Sequence, residues 1–393
     1  MRQRCGGRGA GKCSLDLRSG VTGPRLWAIA CDDQLHCDQW RRSMRLALTT
    51  IEGVEDVAVE EAGERLRAAA IADADVEVRP DGMAGIATVD AGRPVEASWG
   101  ALASLRSVED VIALGGTFTS DRDLTLSRIV AAVEEAELPA LAAAESYRVT
   151  CERCGTHDFT SMDVERAAGA ALGARFGCRV DLESPAVVVR VDVRQRQGLV
   201  GVLLNRGRMS MPSWRVYRPR VGLKPHLAYA MLRIAQVEGG DRLLDPLCGS
   251  ATIPIVAATA YPGLRICGSD SHAAGLAGAR RNARAAGVFE RLALVRANAH
   301  ALAATYRAGS FSVVVTNPPF GIHLSRERDF HWLYSSLLRG FAAVLGEGGR
   351  AALLVWKFGL FRAVLAEEQT FQVVHQRRIV RGDTPLRLVV LKR

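Results

Sequence analysis

The run Val313-Val314-Val315-Thr316-Asn317-Pro318-Pro319-Phe320-Gly321 leaves the chain little conformational choice. Valines closing on a threonine read as a buried parallel strand. The two prolines stop it abruptly, because proline donates no ladder hydrogen bond and pushes the residue before it out of the helical region. Asn317, two carbonyls and the Phe320 ring are thereby held on a stiff turn at the carboxyl end of a strand, where open α/β sheets bind ligands. A carboxamide oxygen and a carbonyl can accept both N–H bonds of an exocyclic amine while a ring stacks on the base that carries it. A proline-rich turn after a core strand is the plainer alternative. The strand before it and the phenylalanine after it favour the functional reading.

The half of the chain around this run, 223–393, alternates strand and helix in the manner of a doubly wound sheet. Its first strand, 242–246, leads into Asp245-Pro246-Leu247-Cys248-Gly249-Ser250-Ala251-Thr252, where small residues let backbone approach a ligand closely. A second strand ends at Asp270, at a spacing from Gly249 that suits a carboxylate accepting from ribose hydroxyls. The G-x-G-x-x-G fingerprint of dinucleotide binders is missing, so an adenosine end without a pyrophosphate is expected. The polar loop 321–329 carries His323, Arg326, Glu327 and Arg328, where guanine acceptors could be read or where loop charges merely face solvent. A helix over 330–345 and strands over 351–356, 371–374 and 386–391 complete this half.

Upstream, 44–115 reads as a small α/β unit. A strand is followed by Val54, Val57, Ala58, Ala62 and Leu66 at helical spacing, then by alternating strands and a helix over 99–114. In 116–205, helices are expected near 126–137 and after Ser161, which is read as the cap of a helix burying Val164, Ala168 and Leu172. The linker 206–222 carries Arg206, Arg208, Arg215, Arg218 and Arg220, interleaved with Trp214 and Tyr217 and free of acidic residues. Such a stretch suits RNA, through phosphate neutralisation and base stacking, or serves as a solvated connector. Residues 1–43, rich in Gly, Cys and Arg, read as a disordered leader or an upstream extension of the reading frame.

Asn317-Pro318-Pro319-Phe320 after a strand resembles motif IV of the amino-methyltransferases, and the run from Asp245 to Thr252 resembles their motif I. Arg153, Gly155, His157, Phe159, Thr160 and Ser161 resemble the signature of the THUMP domain of RNA-modifying enzymes. Residues 49–66 are similar to the ferredoxin-like unit that precedes THUMP in tRNA guanine-N2-methyltransferases. The fold class implied is α/β: a Rossmann-like class I methyltransferase domain preceded by ferredoxin-like and THUMP modules. The resemblance implies N2-methylation of a tRNA guanine, with Asn317, Pro318 and Phe320 catalytic. S-adenosylmethionine would meet Asp245, Gly249 and Ser250 at its methionine end, Asp270 at the ribose and the Asn298 loop at the adenine; Cys248, Thr252 and Asn317 complete the set. Arg153, His157, Arg206, Arg208, Arg215, Arg218 and Arg220 are the expected RNA contacts. Ala251 stands where the family usually has glycine, and Asn298 where it has aspartate; crowding by the extra methyl would cost ~1–3 kcal/mol. Ribosomal RNA, an adenine amino group, or a catalytically impaired RNA-binding homologue stay open as alternatives.

Composition agrees with a polyanionic partner: the net charge is +9, carried largely by arginine. No apolar run is long enough to span a bilayer and no secretory signal is evident, so a cytoplasmic protein is expected, working as a monomer. No activator subunit is evident. Nine cysteines are better explained as scattered thiols in a reducing cytosol. Cys151-x-x-Cys154 with His157 lacks a second pair at zinc spacing, and no metal is expected.

Overall fold

The computed structural model describes residues 44–219, 222–319, 327–381 and 384–393. The leader over 1–43, Arg220, Phe320, His323 and Arg326 lie outside these residues, as do the side chains of Glu327 and Arg328.

The chain opens with β1 (Leu46–Thr49), α1 (Glu55–Ala68), β2 (Asp75–Val78), β3 (Ile86–Asp90), α2 (Val95–Leu102) and β4 (Asp110–Thr119). The order β2-β3-β1-β4 is that of a ferredoxin-like unit. Val57, Ala58, Ala62 and Leu66 of α1 are buried, as their spacing predicts. The helix expected over 99–114 is a correction: α2 ends at Leu102 and the chain re-enters the sheet at Asp110. A short apolar run does not distinguish helix from strand by period alone. Here Ile112 and Ala113 are claimed by strand partners on both sides, β1 on one and a later strand on the other.

Next come α3 (Leu126–Glu135), α4 (Pro139–Ala142), β5 (Ser146–Cys154), α5 (Ser161–Phe176), β6 (Arg179–Val180), β7 (Val187–Arg194) and β8 (Gln197–Leu203). Because β4 pairs with β8 as well as β1, one eight-stranded sheet runs β2-β3-β1-β4-β8-β7-β5-β6. The cap of α5 is Thr160, one residue before the expected Ser161. Thr160 Oγ1 accepts the Asp163 N–H at 3.2 Å while Asp163 Oδ2 accepts the Thr160 N–H at 2.8 Å. This reciprocal pair satisfies two otherwise orphaned donors.

The remainder comprises α6 (Pro225–Ile234), β9 (Arg242–Asp245), α7 (Thr252–Ala260), β10 (Arg265–Asp270), α8 (Ala273–Ala285), β11 (Leu292–Arg296), β12 (Phe311–Thr316), α9 (Glu327–Val344), β13 (Leu345–Val355), α10 (Phe358–Glu368), β14 (Gln372–Arg381) and β15 (Thr384–Lys392). Their sheet runs β11-β10-β9-β12-β13-β15-β14, with β15 antiparallel to β13 and β14. Helices α6, α7 and α8 bury Leu227, Met231, Ile255 and Ala279 on one face. Helices α9 and α10 bury Leu337, Phe341 and Phe361 on the other. The chain winds outward from β9 through β10 to β11 and then returns to β12 on the opposite side. A crevice therefore opens between the carboxyl ends of β9 and β12.

The N-terminal unit docks against this domain. Ile51, Val54 and Val57 join the core of the second sheet, the Val380 N–H donates to the Glu52 carbonyl at 3.1 Å, and Arg377 pairs with Asp56 at 2.7 Å. Among the described residues no helix is long and apolar enough to cross a membrane.

Candidate active site

Strands β9 and β12 lie side by side in parallel register, Val313 opposite Leu243 and Val314 opposite Leu244. Their ends are clasped: the buried Thr316 hydroxyl donates to Asp245 Oδ1 at 2.8 Å. The Leu247 N–H reaches the same oxygen at 3.2 Å. Burial pushes the Asp245 carboxyl up to about 7; the bonds from Thr316 and Leu247 act the other way and the Asp270 charge adds to the rise. Thr316 was missed in the sequence, although a hydroxyl closing an apolar strand is a visible signal.

The turn after β9 carries two left-handed residues in near succession, Gly249 (φ +51°) and Ala251 (φ +61°). Open space lies where a Gly249 side chain would stand. The Gly249 N–H donates to Asp270 Oδ2 at 2.9 Å and the His272 N–H to Asp270 Oδ1 at 2.8 Å. Asp270 thus shapes the turn and still has lone pairs for a ligand. Cys248 is buried, its N–H donates to the Ser269 carbonyl, and burial raises its thiol well above the ordinary range. Ser250 and Thr252 are buried with their hydroxyls 3.5 Å apart. The Ala251 methyl, expected to crowd the crevice, belongs instead to the apolar core beneath it. Asn298 caps the short turn that follows β11, its Oδ1 accepting the His300 N–H at 3.0 Å.

Asn317 follows the clasped strand end. Its Oδ1 is buried and has no hydrogen-bond partner among the described residues. Such an acceptor costs about 1–3 kcal/mol until something donates to it. Pro318, buried beside it, has no N–H to offer. The orphaned acceptor, the open space above Gly249 and the lone pairs of Asp270 together fit a ligand with an adenosine end and an amine.

The expected RNA contacts divide into separate groups. Arg153 and His157 hold one another at 3.0 Å, and the His157 Nε2 meets the Gln195 carbonyl at 2.7 Å, locking the loop before α5. Both imidazole nitrogens are therefore engaged, and burial pushes the Cys151 thiol up to about 12. Arg208 pairs with Glu109 at 2.8 Å and also with Glu152, and Arg215 is buried. Arg206 and Arg218 are exposed. Burial alone would raise the Glu109 carboxyl, but Lys224, His226 and Arg208 bring it down to about 2.

A seven-stranded sheet of this order, with a glycine turn and an Asn-Pro-Pro end facing one crevice, defines a class I methyltransferase. Residues 212–386 match the family described as RMKL-like, methyltransferase domain, and residues 125–203 match the THUMP domain. The chain belongs to the THUMP-domain tRNA guanine-N2-methyltransferase family, and it is an RNA methyltransferase. It is 38% identical over 256 residues to the tRNA (guanine(6)-N2)-methyltransferase of Thermus thermophilus, covering 65% of this chain and 75% of that protein. A protein of the same name from Archaeoglobus fulgidus is 31% identical over 278 residues, covering 63% of this chain and 69% of its own length. The crystal structure of TrmN from Thermus thermophilus superposes with a TM-score of 0.70 at 32% identity, covering 89% of this chain and 99% of that one.

Proposed function

We infer that this protein methylates the N2 amine of a guanine in tRNA, using S-adenosylmethionine. The observation that carries the reading is the buried, unsatisfied Oδ1 of Asn317, directly after the strand end that Thr316 clasps to Asp245. It is supported by two relatives that both bear a tRNA guanine-N2-methyltransferase name. When bound, the cofactor supplies an electrophilic methyl group. Asp245, Cys248, Gly249, Ser250 and Thr252 would hold its methionine end, Asp270 its ribose and Asn298 its adenine side. Asn317 Oδ1 and the Pro318 carbonyl would accept the two N–H bonds of the guanine amine. That leaves its lone pair pointing out of the ring plane, with Phe320 stacking on the extruded base. Positioning then provides most of the rate enhancement. Arg206 and Arg218 would meet phosphates, and the protein would work in the cytoplasm with its substrate.

The test is single-turnover methylation of bulk tRNA, with the product nucleoside identified by mass spectrometry. Asn317→Ala is expected to slow the step about 100-fold or more at saturating cofactor, by analogy with the loss of one oriented polar group. An unchanged rate, or a product other than N2-methylguanosine, would overturn the assignment.

A further inference from the structure

The linker's seat on the methyltransferase domain passes through one side chain. Asn282, near the end of α8, is fully buried. Its Oδ1 accepts the Tyr217 N–H at 2.8 Å, and its Nδ2 donates to the Tyr217 carbonyl at 3.0 Å and to the Ser250 carbonyl at 3.2 Å. Oxygen and amide nitrogen are both in use, so a single carboxamide ties the linker backbone to the middle of the Gly249–Ala251 turn. Gly278, one helical turn earlier on the same face, makes room for the contact: a methyl there would run into the Tyr217 ring. The linker and the residues just beyond it are anchored elsewhere as well. Trp214 packs against the methyltransferase core, while Arg208 and Lys224 hold Glu109 of the N-terminal sheet's margin at 2.8 and 3.0 Å.

We propose that Asn282 is a positioning residue that makes the shape of the Ser250 turn, and hence affinity for the cofactor, depend on how the interdomain linker is seated at Tyr217. The proposal rests on the reading of that turn as the cofactor site. Asn282 touches no reacting atom; it acts through the Ser250 carbonyl. Without it, the buried Ser250 carbonyl and both part-buried backbone groups of Tyr217 lose this partner. A turn with two positive-φ residues then loses a restraint on its ligand-facing geometry. The RNA-binding modules, through the linker they hold, thereby gain a mechanical connection to the cofactor turn.

Calorimetric titration of S-adenosylmethionine into the full chain, with unfolding temperatures and steady-state methylation of tRNA, tests this. The variants are Asn282→Ala, Gly278→Ala, and Gly278→Ala combined with Tyr217→Ala. Gly278→Ala is the informative one, because the three atoms nearest to the added methyl all belong to the Tyr217 ring. Both single variants are expected to raise the cofactor Kd and KM about tenfold or more, equivalent to about 1.4 kcal/mol, with kcat at saturating cofactor within about threefold of native. Removing the Tyr217 ring relieves the clash, so the double variant should recover most of the lost affinity. A Gly278→Ala protein that unfolds at lower temperature but binds cofactor like the native one would show a merely structural role and overturn the proposal. If Asn282→Ala does not fold, the Gly278 and Tyr217 pair decides. A native protein that gives no binding heat would overturn the cofactor reading itself, and this inference with it.

Discussion

Thr316 and Asp245 meet where two strands end, and burial there sets the charge state of the carboxyl against the pull of the Thr316 bond. The carboxyl is buried, and its value near 7 lies well above the 3.8 of a free aspartate. A raised value means that the folded state holds the proton more tightly than the unfolded chain does. The stabilising contribution is therefore complete below the unfolded value and is lost as pH rises through 7. We expect the ligand-free protein to lose unfolding temperature between about pH 4 and 7, and Asp245→Asn to flatten that slope. Scanning calorimetry of the two proteins side by side checks it, since their difference cancels the histidines that titrate in the same window. An identical slope would show that Asp245 is already ionised at the acid end of that window. Ala251 shows a second lesson at this scale. A non-glycine at φ +61° bears a left-handed cost of about 1–2 kcal/mol, yet its methyl is buried in the core, where burial offsets part of that cost.

Among the elements, the linker is the one whose character the structure changes most. A run of arginines and aromatics without acids suits RNA or a solvated connector. In the fold Arg208 is paired to carboxylates of the eight-stranded sheet and Arg215 is buried. Tyr217 is bonded to α8. Only long-range partners turn a basic run into a strut, and no local pattern encodes them. Arg206 and Arg218 keep their exposure, so they are the residues whose replacement by alanine should weaken tRNA binding. The loss should be largely independent of sequence, and the slope of log K against log salt should flatten by about one per phosphate contact removed. Filter binding across a salt series reads this directly. A slope unchanged in the double variant would take both residues off the RNA.

At the scale of the whole molecule, the N-terminal unit and the methyltransferase domain share a core. Gly53 sits at their junction with φ +102°, and a side chain there would meet the Arg378 carbonyl of β14. Its own carbonyl accepts from Arg377 at 3.2 Å. Gly53→Ala should therefore loosen the docking without entering either site. The expected result is a thermal unfolding curve that splits into two transitions, with kcat/KM for tRNA reduced about tenfold and cofactor affinity unchanged. A single transition and native kcat/KM would show that the junction does not matter for substrate delivery.

Much of this molecule is written locally. The valine run before Asn317, the small residues from Cys248 to Ala251 and the helical spacing in α1 each specify their own conformation, because period, proline and glycine act within a few residues. The choice of strand over helix at Asp110–Thr119 depended on partners at both edges, supplied by segments far away in the chain. The same holds for the clasp between Thr316 and Asp245, the unsatisfied state of the Asn317 oxygen, and the hold of Asn282 on linker and turn. Each depends on which distant groups arrive within hydrogen-bonding distance or fail to, and only packing in three dimensions decides that.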